Sequence, residues 1–296
     1  MLRFGGPVFL RGDTKAAGVG ESHGAASDEL EELVRAHRIK GFSAAYAPKI
    51  GLHETEKIKA YRTAFEEADI LIAEVGYWEN LLDLDQTECR KNRARMVEAL
   101  ALAEALGACC SINILGSYCR GHGSSQHSGM NFSDEAFQAA VEISRRCIDD
   151  VKPKIAFFVY EIFPFNVVDS PETISALVKA VDRKQFGVHM DIVNLINCPR
   201  KYFDSAGVIR QSVALFGERI VSAHIKDIKM REPAVSVILE EVLPGLGGLD
   251  IAAYLRALDG LPHTVPLLME HLTDEREYDL AARHIRDVAD AERIRI

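Results

Sequence analysis

Four side chains in the second half of the chain could together bind a divalent cation and move protons. Each one ends a short apolar segment: KIAFFVYE ends at Glu161, FGVHMD at Asp191, RIVSAH at His224 and VPLLME at Glu270. Carboxylates combined with an imidazole suit Mn²⁺, Mg²⁺ or Co²⁺, and Zn²⁺ also accepts them. On an octahedral cation such a set leaves positions open, which the carbonyl and a neighbouring hydroxyl of a sugar could fill. We therefore predict a metal site formed by these four residues.

The elements that must position these ligands follow an alternating pattern. Apolar segments rich in β-branched and aromatic residues recur, and stretches with helical periodicity separate them. The pattern predicts strands at Val8–Leu10, Phe42–Tyr46, Ile70–Val75, Cys109–Leu115, Ile155–Glu161, Phe186–Asp191, Ile220–Ile225 and Val265–Glu270. It predicts helices at Ser27–Arg38, Glu54–Ala68, Gln86–Leu106, Asp134–Asp150, Pro171–Asp182, Asp204–Phe216, Ile251–Leu258 and Glu275–Ala291.

This alternation, without a linker or a shift in composition, predicts one α/β domain over residues 1–296, a closed (β/α)8 TIM barrel. An open doubly wound sheet is the alternative. It is disfavoured because no Gly-x-Gly-x-x-Gly motif follows the first strand. In a barrel, catalytic groups lie at the carboxyl ends of the strands. We expect the four ligands to converge at that end.

Composition and charge exclude several classes of partner. The chain of 296 residues has a net charge of −9, which argues against a nucleic-acid partner because phosphates require a basic face. No apolar run reaches membrane-spanning length, and the start, MLRFGGPVFLRGD, lacks the organisation of a signal peptide. The six cysteines form no paired framework. We expect a cytoplasmic protein without a membrane partner; the sequence does not decide between a monomer and a homo-oligomer.

Two long segments interrupt the alternation. Residues Gly116–Phe132 are rich in glycine, serine and histidine, and a connection of that length is functional or disordered. Residues Met230–Gly248 follow the seventh strand and contain PGLGG. Glycines at this place in a barrel can bind a phosphate, but no basic residue of that glycine loop supports such a site.

Several motifs of the second half resemble the xylose-isomerase-like TIM-barrel family, which includes sugar isomerases, ketose 3-epimerases and inosose dehydratases. The resemblance covers roughly residues 150–296. The motifs that carry it are YE (Tyr160–Glu161), HMDIVN (His189–Asn194), AHIKD (Ala223–Asp227), PGLGGLD (Pro244–Asp250) and LLMEH (Leu267–His271).

The resemblance implies that Glu161, Asp191, His224 and Glu270 bind the metal and that the two glutamates form the acid/base pair. A metal-polarised carbonyl acidifies the adjacent C–H bond, which gives an enediolate that the cation stabilises. One carboxylate can remove the proton and the other can return it on the opposite face. The expected function is a divalent-metal-dependent isomerase or epimerase of a small carbohydrate or polyol.

Two departures from the family pattern keep other reactions open. Asn194 stands where many members have a histidine, and Arg231 fits the position of an epimerase arginine only approximately. Asparagine can bind a hydroxyl but cannot carry a proton, so a lyase or dehydratase that uses the same enediolate is the main alternative. An abasic-site endonuclease is disfavoured, because its three-zinc cluster needs more histidines and DNA binding needs a basic face. A non-catalytic sugar-binding barrel is a further alternative.

Other residues are candidates for substrate contacts, each with a structural alternative. His189 shares the inward face of the sixth strand, as a core histidine or as a group that orients a ligand. Lys226 could bind a substrate carbonyl or form a salt bridge with Asp227 or another neighbour. Trp78 could form an apolar wall for the sugar or cap the barrel, and Glu74 near the end of the third strand is a further candidate.

Overall fold

A barrel of eight parallel strands forms the centre of the protein in the computed structural model, which describes residues 1–10, 27–121 and 125–296. The predicted TIM barrel is confirmed. The barrel strands are β1 (Leu2–Gly5), β2 (Ala44–Tyr46), β3 (Leu71–Gly76), β4 (Cys110–Asn113), β5 (Phe157–Tyr160), β6 (Val188–Asp191), β7 (Ile220–Ile225) and β10 (Val265–Met269). The order of neighbouring strands is β5-β4-β3-β2-β1-β10-β7-β6, and two isolated bridges, Phe158–Phe186 and Glu161–His189, join β5 to β6 and close the barrel.

Helices follow the strands and surround the barrel. They are α1 (Ser27–Lys40), α2 (Thr55–Glu67), α3 (Gln86–Leu106), α4 (Asp134–Val151), α5 (Pro171–Val181), α6 (Pro199–Phe203), α7 (Ser205–Phe216), α8 (Ile251–Asp259) and α9 (Glu275–Ala291). The main apolar core contains buried residues from both the strands and the helices. Within the described ranges, no helix is long and apolar enough to cross a membrane.

Side-chain caps explain where several helices begin. The Ser170 hydroxyl accepts a hydrogen bond from Thr173 N at 3.3 Å, and Pro171 occupies the first turn of α5, as the sequence predicts. The Asp274 carboxylate accepts from Glu277 N at 2.9 Å at the start of α9. These caps satisfy backbone N–H groups that would otherwise lack partners at helix ends.

The predicted position of the first strand is wrong. The strand is Leu2–Gly5 and not Val8–Leu10, and it pairs with β10 through Leu2–Val265 and the residues that follow. Gly5 belongs to the strand because β2 approaches it closely: a Cβ atom at Gly5 would lie 2.0 Å from the Ala44 carbonyl oxygen. A glycine that usually weakens a strand is here required by the packing of neighbouring backbones.

The segment Met230–Gly248 is not only a loop. Strands β8 (Asp227–Met230) and β9 (Leu239–Val242) form an antiparallel hairpin that pairs Asp227 with Val242 and Met230 with Leu239. Charged and apolar residues alternate in β8 (DIKM) but not in β9 (LEEV), and both strands are too short for periodicity to reveal them. Because one residue alone separates β7 from β8, the hairpin begins at the carboxyl end of the barrel, where its Glu241 lies 3.2 Å from Lys226 Nζ.

Buried asparagines hold the described part of the segment 116–132. Asn131 is fully buried; its Oδ1 accepts from Tyr118 N at 2.9 Å and its Nδ2 donates to Phe165 O at 3.0 Å. Asn80 Nδ2 donates to Ser117 O at 2.8 Å. The start and end of this connection are therefore fixed to the segments that follow β3 and β5.

A carboxylate on α3 fixes the chain as it enters β5. Glu104 accepts hydrogen bonds from Lys154 N at 3.0 Å and from Ile155 N and Ala156 N at 2.9 Å each. Burial opposes ionisation, but these three donors outweigh it and lower the pKa of Glu104 below its usual value. The carboxylate form thus stabilises the entry to β5, the strand that leads directly to Glu161.

We expect Glu104→Gln to lower the free energy of unfolding by about 1–2 kcal/mol at pH 7, because one carbonyl oxygen replaces a charged acceptor of three N–H groups. Since the folded pKa lies below the unfolded value, this stabilisation is present above about pH 4.3 and disappears as the pH falls through the folded pKa. Urea denaturation at pH 7 and about pH 3 would measure both effects. Glu142→Gln, on the exposed face of α4, is the control; equal losses in the two variants would contradict the prediction.

Candidate metal centre

The predicted metal ligands meet at the carboxyl end of the barrel. Ligand atoms of Glu161, Asp191, His224 and Glu270 all lie within 4.8 Å of one another. His224 Nδ1 lies 3.0 Å from Glu270 Oε2 and 3.4 Å from Glu161 Oε1. All four side chains are buried, and the most exposed of them is Glu270 at 9%.

Strand register brings these residues together. Asp191 on β6 stands opposite His224 on β7, and His224 stands opposite Leu268 on β10. Glu270 comes two residues after Leu268, so it points to the same face, just past the end of β10. From α8, the buried Tyr254 hydroxyl lies 2.7 Å from Met190 O and 3.1 Å from His224 O, which fixes the backbone of β6 and β7 beside the two ligands.

Lys226 supplies a buried positive charge to the cluster. Its Nζ lies 2.7 Å from Asp191 Oδ2 and 2.7 Å from Glu270 Oε1, and 3.2 Å from Glu241 Oε1. The sequence left a salt bridge with Asp227 open, but the lysine instead pairs with these three carboxylates. Burial opposes its charge, yet Asp191 and Glu270 raise the pKa of Lys226 well above its usual value.

Four buried atoms of the cluster lack a hydrogen bond within the described residues: His224 Nδ1, both oxygens of Asp191 and Glu270 Oε1. Three of them face an oppositely charged neighbour, but Asp191 Oδ1 has neither a hydrogen bond nor an ion pair among these residues. Buried polar atoms without partners are uncommon and destabilising. The donor set and this unpaired oxygen therefore fit a divalent cation with oxygen and imidazole ligands.

The electrostatics of the cluster show an excess of buried negative charge. Burial disfavours a charged imidazole, but Glu270 and Glu74 outweigh it and raise the pKa of His224 well above its usual value. Burial raises the pKa of Asp191 to about 8, and Lys226 opposes this shift. For Glu270 the effect of burial is overcome by His224 and Lys226, so its pKa is lowered well below the usual value. A divalent cation would supply the missing positive charge and release the proton of His224.

A second buried layer lies beside the ligands. Glu74 Oε1 lies 3.2 Å from His224 Nε2, and its Oε2 lies 3.5 Å from His189 Nδ1. His189 is fully buried and lies 2.6 Å from the Ser222 hydroxyl, so it is placed inside the barrel and not against open solvent. From the sequence, Glu74 was one of several candidates for substrate contacts. The feature that marks it is that it is the only charged residue of the apolar strand LIAEVG.

A cavity of about 710 Å³ opens over part of the cluster, lined by Glu74, His224 and Glu270 together with apolar and aromatic side chains. Trp78 is among the lining residues. This position is compatible with the apolar wall for a sugar, which was one of two interpretations of Trp78 from the sequence. The indole packs over Gly76, where a Cβ atom would lie 2.7 Å from Trp78 Nε1. The size and lining are typical of a small-molecule site.

Asn194 and Arg231 have other partners. Asn194 Nδ2 donates to Ile162 O at 2.9 Å, which ties the segment after β6 to the residue following Glu161. Arg231 lies on the hairpin, where its guanidinium pairs with Glu240, and more than half of its side chain is exposed. The structure thus keeps Asn194 next to the cluster and does not bring Arg231 to it.

The hairpin contributes a carboxylate that the sequence did not indicate. Glu241 Oε2 accepts from His271 Nδ1 at 2.8 Å, while its other oxygen faces Lys226. His271 follows Glu270 directly, adopts a left-handed φ of 57° and lines the cavity. Non-glycine residues seldom adopt that conformation, although histidine does so more often than most. Glu241 was hidden in a segment predicted as loop, and its role depends on tertiary contacts alone.

The glycine loop after the hairpin is held by Asp227. The Asp227 carboxylate accepts from Gly245 N, Gly247 N and Leu249 N at 3.0, 2.9 and 3.0 Å. A Cβ atom at Gly247 would lie 2.2 Å from Asp227 Oδ1, so glycine is required for this approach. Because these N–H groups already donate to a buried carboxylate, they are not free to bind a phosphate.

Comparison with known proteins gives a family match and several structural matches. A family model described as xylose isomerase-like TIM barrel matches residues 30–288. No curated protein matches the chain.

The structural matches share the fold at low sequence identity. A structure of L-ribulose 3-epimerase is 16% identical, with a TM-score of 0.67, over 99% of this chain and 94% of that one. A xylose isomerase-like TIM barrel protein from Mycobacterium smegmatis in complex with magnesium is 16% identical, with a TM-score of 0.63, over 91% and 89%. The probable 3-DHS dehydratase AsbF from Bacillus anthracis is 14% identical, with a TM-score of 0.63, over 91% and 95%.

We expect Mn²⁺ to stabilise the protein against thermal unfolding and Asp191→Asn to abolish most of that gain. At a free concentration about 100 times Kd, a bound ion contributes roughly 2.7 kcal/mol. Calorimetric melting curves with Mn²⁺ and with EDTA measure the difference for each variant.

Arg231→Gln is the matched control, because it changes a charged residue outside the cluster and should keep the full Mn²⁺-dependent shift in Tm. A shift in Asp191→Asn as large as in the wild type would exclude Asp191 as a ligand.

Proposed function

This chain belongs to the xylose isomerase-like TIM barrel family, and on that premise we propose that it is a divalent-metal-dependent isomerase or epimerase of a sugar or polyol. The observation that carries the proposal is the convergence of Glu161, Asp191, His224 and Glu270 beside the cavity. A likeness in fold to an L-ribulose 3-epimerase is compatible with it. The substrate would be a small carbohydrate.

Glu161, Asp191, His224 and Glu270 would hold the cation. Their oxygen-rich set favours Mn²⁺, Mg²⁺ or Co²⁺ and also admits Zn²⁺; the similar protein from Mycobacterium smegmatis was solved in complex with magnesium. When bound, the cation polarises the substrate carbonyl and stabilises the negative charge of the enediolate. Lys226 pairs with Asp191 Oδ2 and Glu270 Oε1, which leaves the other oxygen of each carboxylate to bind the cation.

Glu161 and Glu270 would move the protons. They enter from β5 and β10, and each has an oxygen near His224 Nδ1, so they approach the centre of the site from different strands. The carboxylate on one face of the sugar removes a proton from the carbon next to the carbonyl. The second carboxylate returns a proton to the opposite face in an epimerase, or to the neighbouring carbon in an isomerase.

Other residues would bind or enclose the substrate. Trp78 lines the cavity and offers an apolar ring face for the C–H groups of a sugar. Lys226 could donate to a substrate oxygen while it remains paired with Asp191. His189 and Asn194 would act through the residues they contact, since they bond to Ser222 and Ile162. Arg231 has no part in the proposed site.

A dehydratase is the second candidate. In that reaction the same enediolate expels a hydroxide from the β-carbon, and the hydroxide leaves as water after taking a proton. The observation in favour is that Asn194 replaces a histidine of many relatives and uses its amide to bind Ile162 O, so it returns no proton to the substrate. The fold of the probable 3-DHS dehydratase AsbF is compatible with this reaction.

Turnover of a keto-sugar panel in D₂O with Mn²⁺ separates the two reactions. We expect a product isomeric with the substrate that carries deuterium at the reacting carbon. Glu161→Gln and Glu270→Gln should each lower kcat by about 10²- to 10⁴-fold, because each removes a proton-transfer group. Mass spectrometry and NMR of the products measure isotope content and configuration.

Glu142→Gln serves as the control and should leave kcat unchanged. Loss of water from the substrate would instead assign a dehydratase. If the wild type binds Mn²⁺ and keto-sugars but turns over none of them, the protein is a sugar-binding barrel and not an enzyme of this class.

A further inference from the structure

A series of buried polar side chains extends from the metal centre into the barrel, and the proposed chemistry does not yet use it. Its members are nearly inaccessible to solvent: Glu74 is 2% exposed, His189 0%, Ser222 1% and Cys110 0%. Polar groups at such depth are destabilising unless they bond to one another, so their arrangement calls for a functional explanation.

This series of polar side chains begins at Nε2 of His224. His224 Nδ1 faces Glu161 and Glu270, whereas Nε2 lies 3.2 Å from Glu74 Oε1. An ionised carboxylate only accepts hydrogen bonds, so this contact places the ring hydrogen on Nε2. Nε2 keeps that hydrogen when a cation binds, so Nδ1 is the nitrogen that gives up its proton and offers its lone pair to the ion.

On its far side Glu74 has a looser contact. Its Oε2 lies 3.5 Å from His189 Nδ1 and has no hydrogen bond within the described residues, whereas that nitrogen lies 2.6 Å from Ser222 Oγ. Ser222 Oγ in turn lies 3.3 Å from Cys110 Sγ. The strands fix these neighbours, because Glu74 pairs with Cys110 across β3 and β4, and His189 pairs with Ser222 across β6 and β7.

The imidazole rings of His189 and His224 also pack against each other. Their centroids are 4.1 Å apart at an interplanar angle of 72°, an edge-to-face contact. His224 is thus restrained on two sides: its ring plane is set by His189 and its Nε2 by Glu74. Rotation of the ring about its Cβ–Cγ bond would break the bond to Glu74 and turn Nδ1 away from the ligand cluster.

We propose that Glu74 is a positioning residue that selects the tautomer and ring orientation of His224 for metal binding, while the edge-to-face contact of His189 restrains the same ring. This inference rests on the proposed metal centre. A carboxylate behind a metal-binding histidine raises its basicity, and loss of such a partner typically weakens metal binding by about 10- to 100-fold. The effect is therefore on affinity for the ion and not on proton transfer to the substrate.

A rival explanation is a second ion held by Glu74, His189 and His224, whose ligand atoms also lie within 4.8 Å of one another. It would require both nitrogens of His224 to bind cations and the ring to lose its last proton. It would also place a second divalent charge in a fully buried pocket that offers one carboxylate. The single hydrogen bond to Glu74 is the simpler use of Nε2.

Titration of the EDTA-treated protein with Mn²⁺, followed by calorimetry and by the paramagnetic resonance of free Mn²⁺, tests the proposal. We expect one ion per wild-type chain. Glu74→Gln keeps a neutral acceptor and should bind about 10-fold more weakly, and Glu74→Leu about 100-fold more weakly. Cys110→Ala is the matched control, because Cys110 lies at the far end of the same series of polar side chains. This change should alter the Kd for Mn²⁺ by less than about 3-fold.

A spectroscopic measurement reports on His224 itself. Spin-echo modulation of bound Mn²⁺ by the imidazole nitrogen should be present in the wild type and in Cys110→Ala, and reduced in Glu74→Gln. Circular dichroism in EDTA shows whether each variant is folded, and Glu74→Gln decides the question if Glu74→Leu does not fold.

The outcomes are distinguishable. Unchanged affinity and unchanged nitrogen modulation in Glu74→Gln would overturn the positioning role while leaving the metal centre intact. Two ions in the wild type and one in Glu74→Gln would make Glu74 a ligand of a second ion and would also overturn it. No Mn²⁺ binding by the wild type would reject the metal centre and this inference together.

Discussion

Buried negative charge at one end of the barrel is the constraint on which the site depends. Glu74, Glu161, Asp191 and Glu270 are each at most 9% exposed and surround one imidazole. Carboxylates cannot stay ionised at that depth without cations or strong donors. Lys226 supplies one positive charge, and His224 supplies another while it is protonated. The strands position these charged side chains, and Tyr254 fixes the backbone of β6 and β7 beside them. The hairpin adds Glu241 as a further partner of Lys226.

The sequence predicted the four clustered side chains because their positions obey the geometry of the barrel. An acid or histidine that closes an apolar segment stands at a strand end, and parallel strands bring such ends together. Register then converts separate positions in the chain into neighbours, as for Asp191 and His224. This part of the site follows from periodicity, which depends on local sequence.

Other parts of the site depend on contacts that periodicity does not encode. The pairing of Glu241 with His271 requires a hairpin whose strands are short and half charged. The first strand was misplaced because Gly5 resembles a strand terminator, although close packing against Ala44 demands it. The link from Glu74 to His224 joins residues that are 150 positions apart. Such contacts become visible only when the barrel is closed.

Lys226 is the single residue between β7, which ends at Ile225, and β8, which begins at Asp227. Its side chain is paired with the carboxylates of Asp191 and Glu270, while the next residue anchors the glycine loop. One peptide unit therefore connects the hairpin to the positive charge that balances the cluster. An insertion beside Lys226 would displace the ammonium group and the start of the hairpin together, whereas a change in length between β8 and β9 would leave both in place.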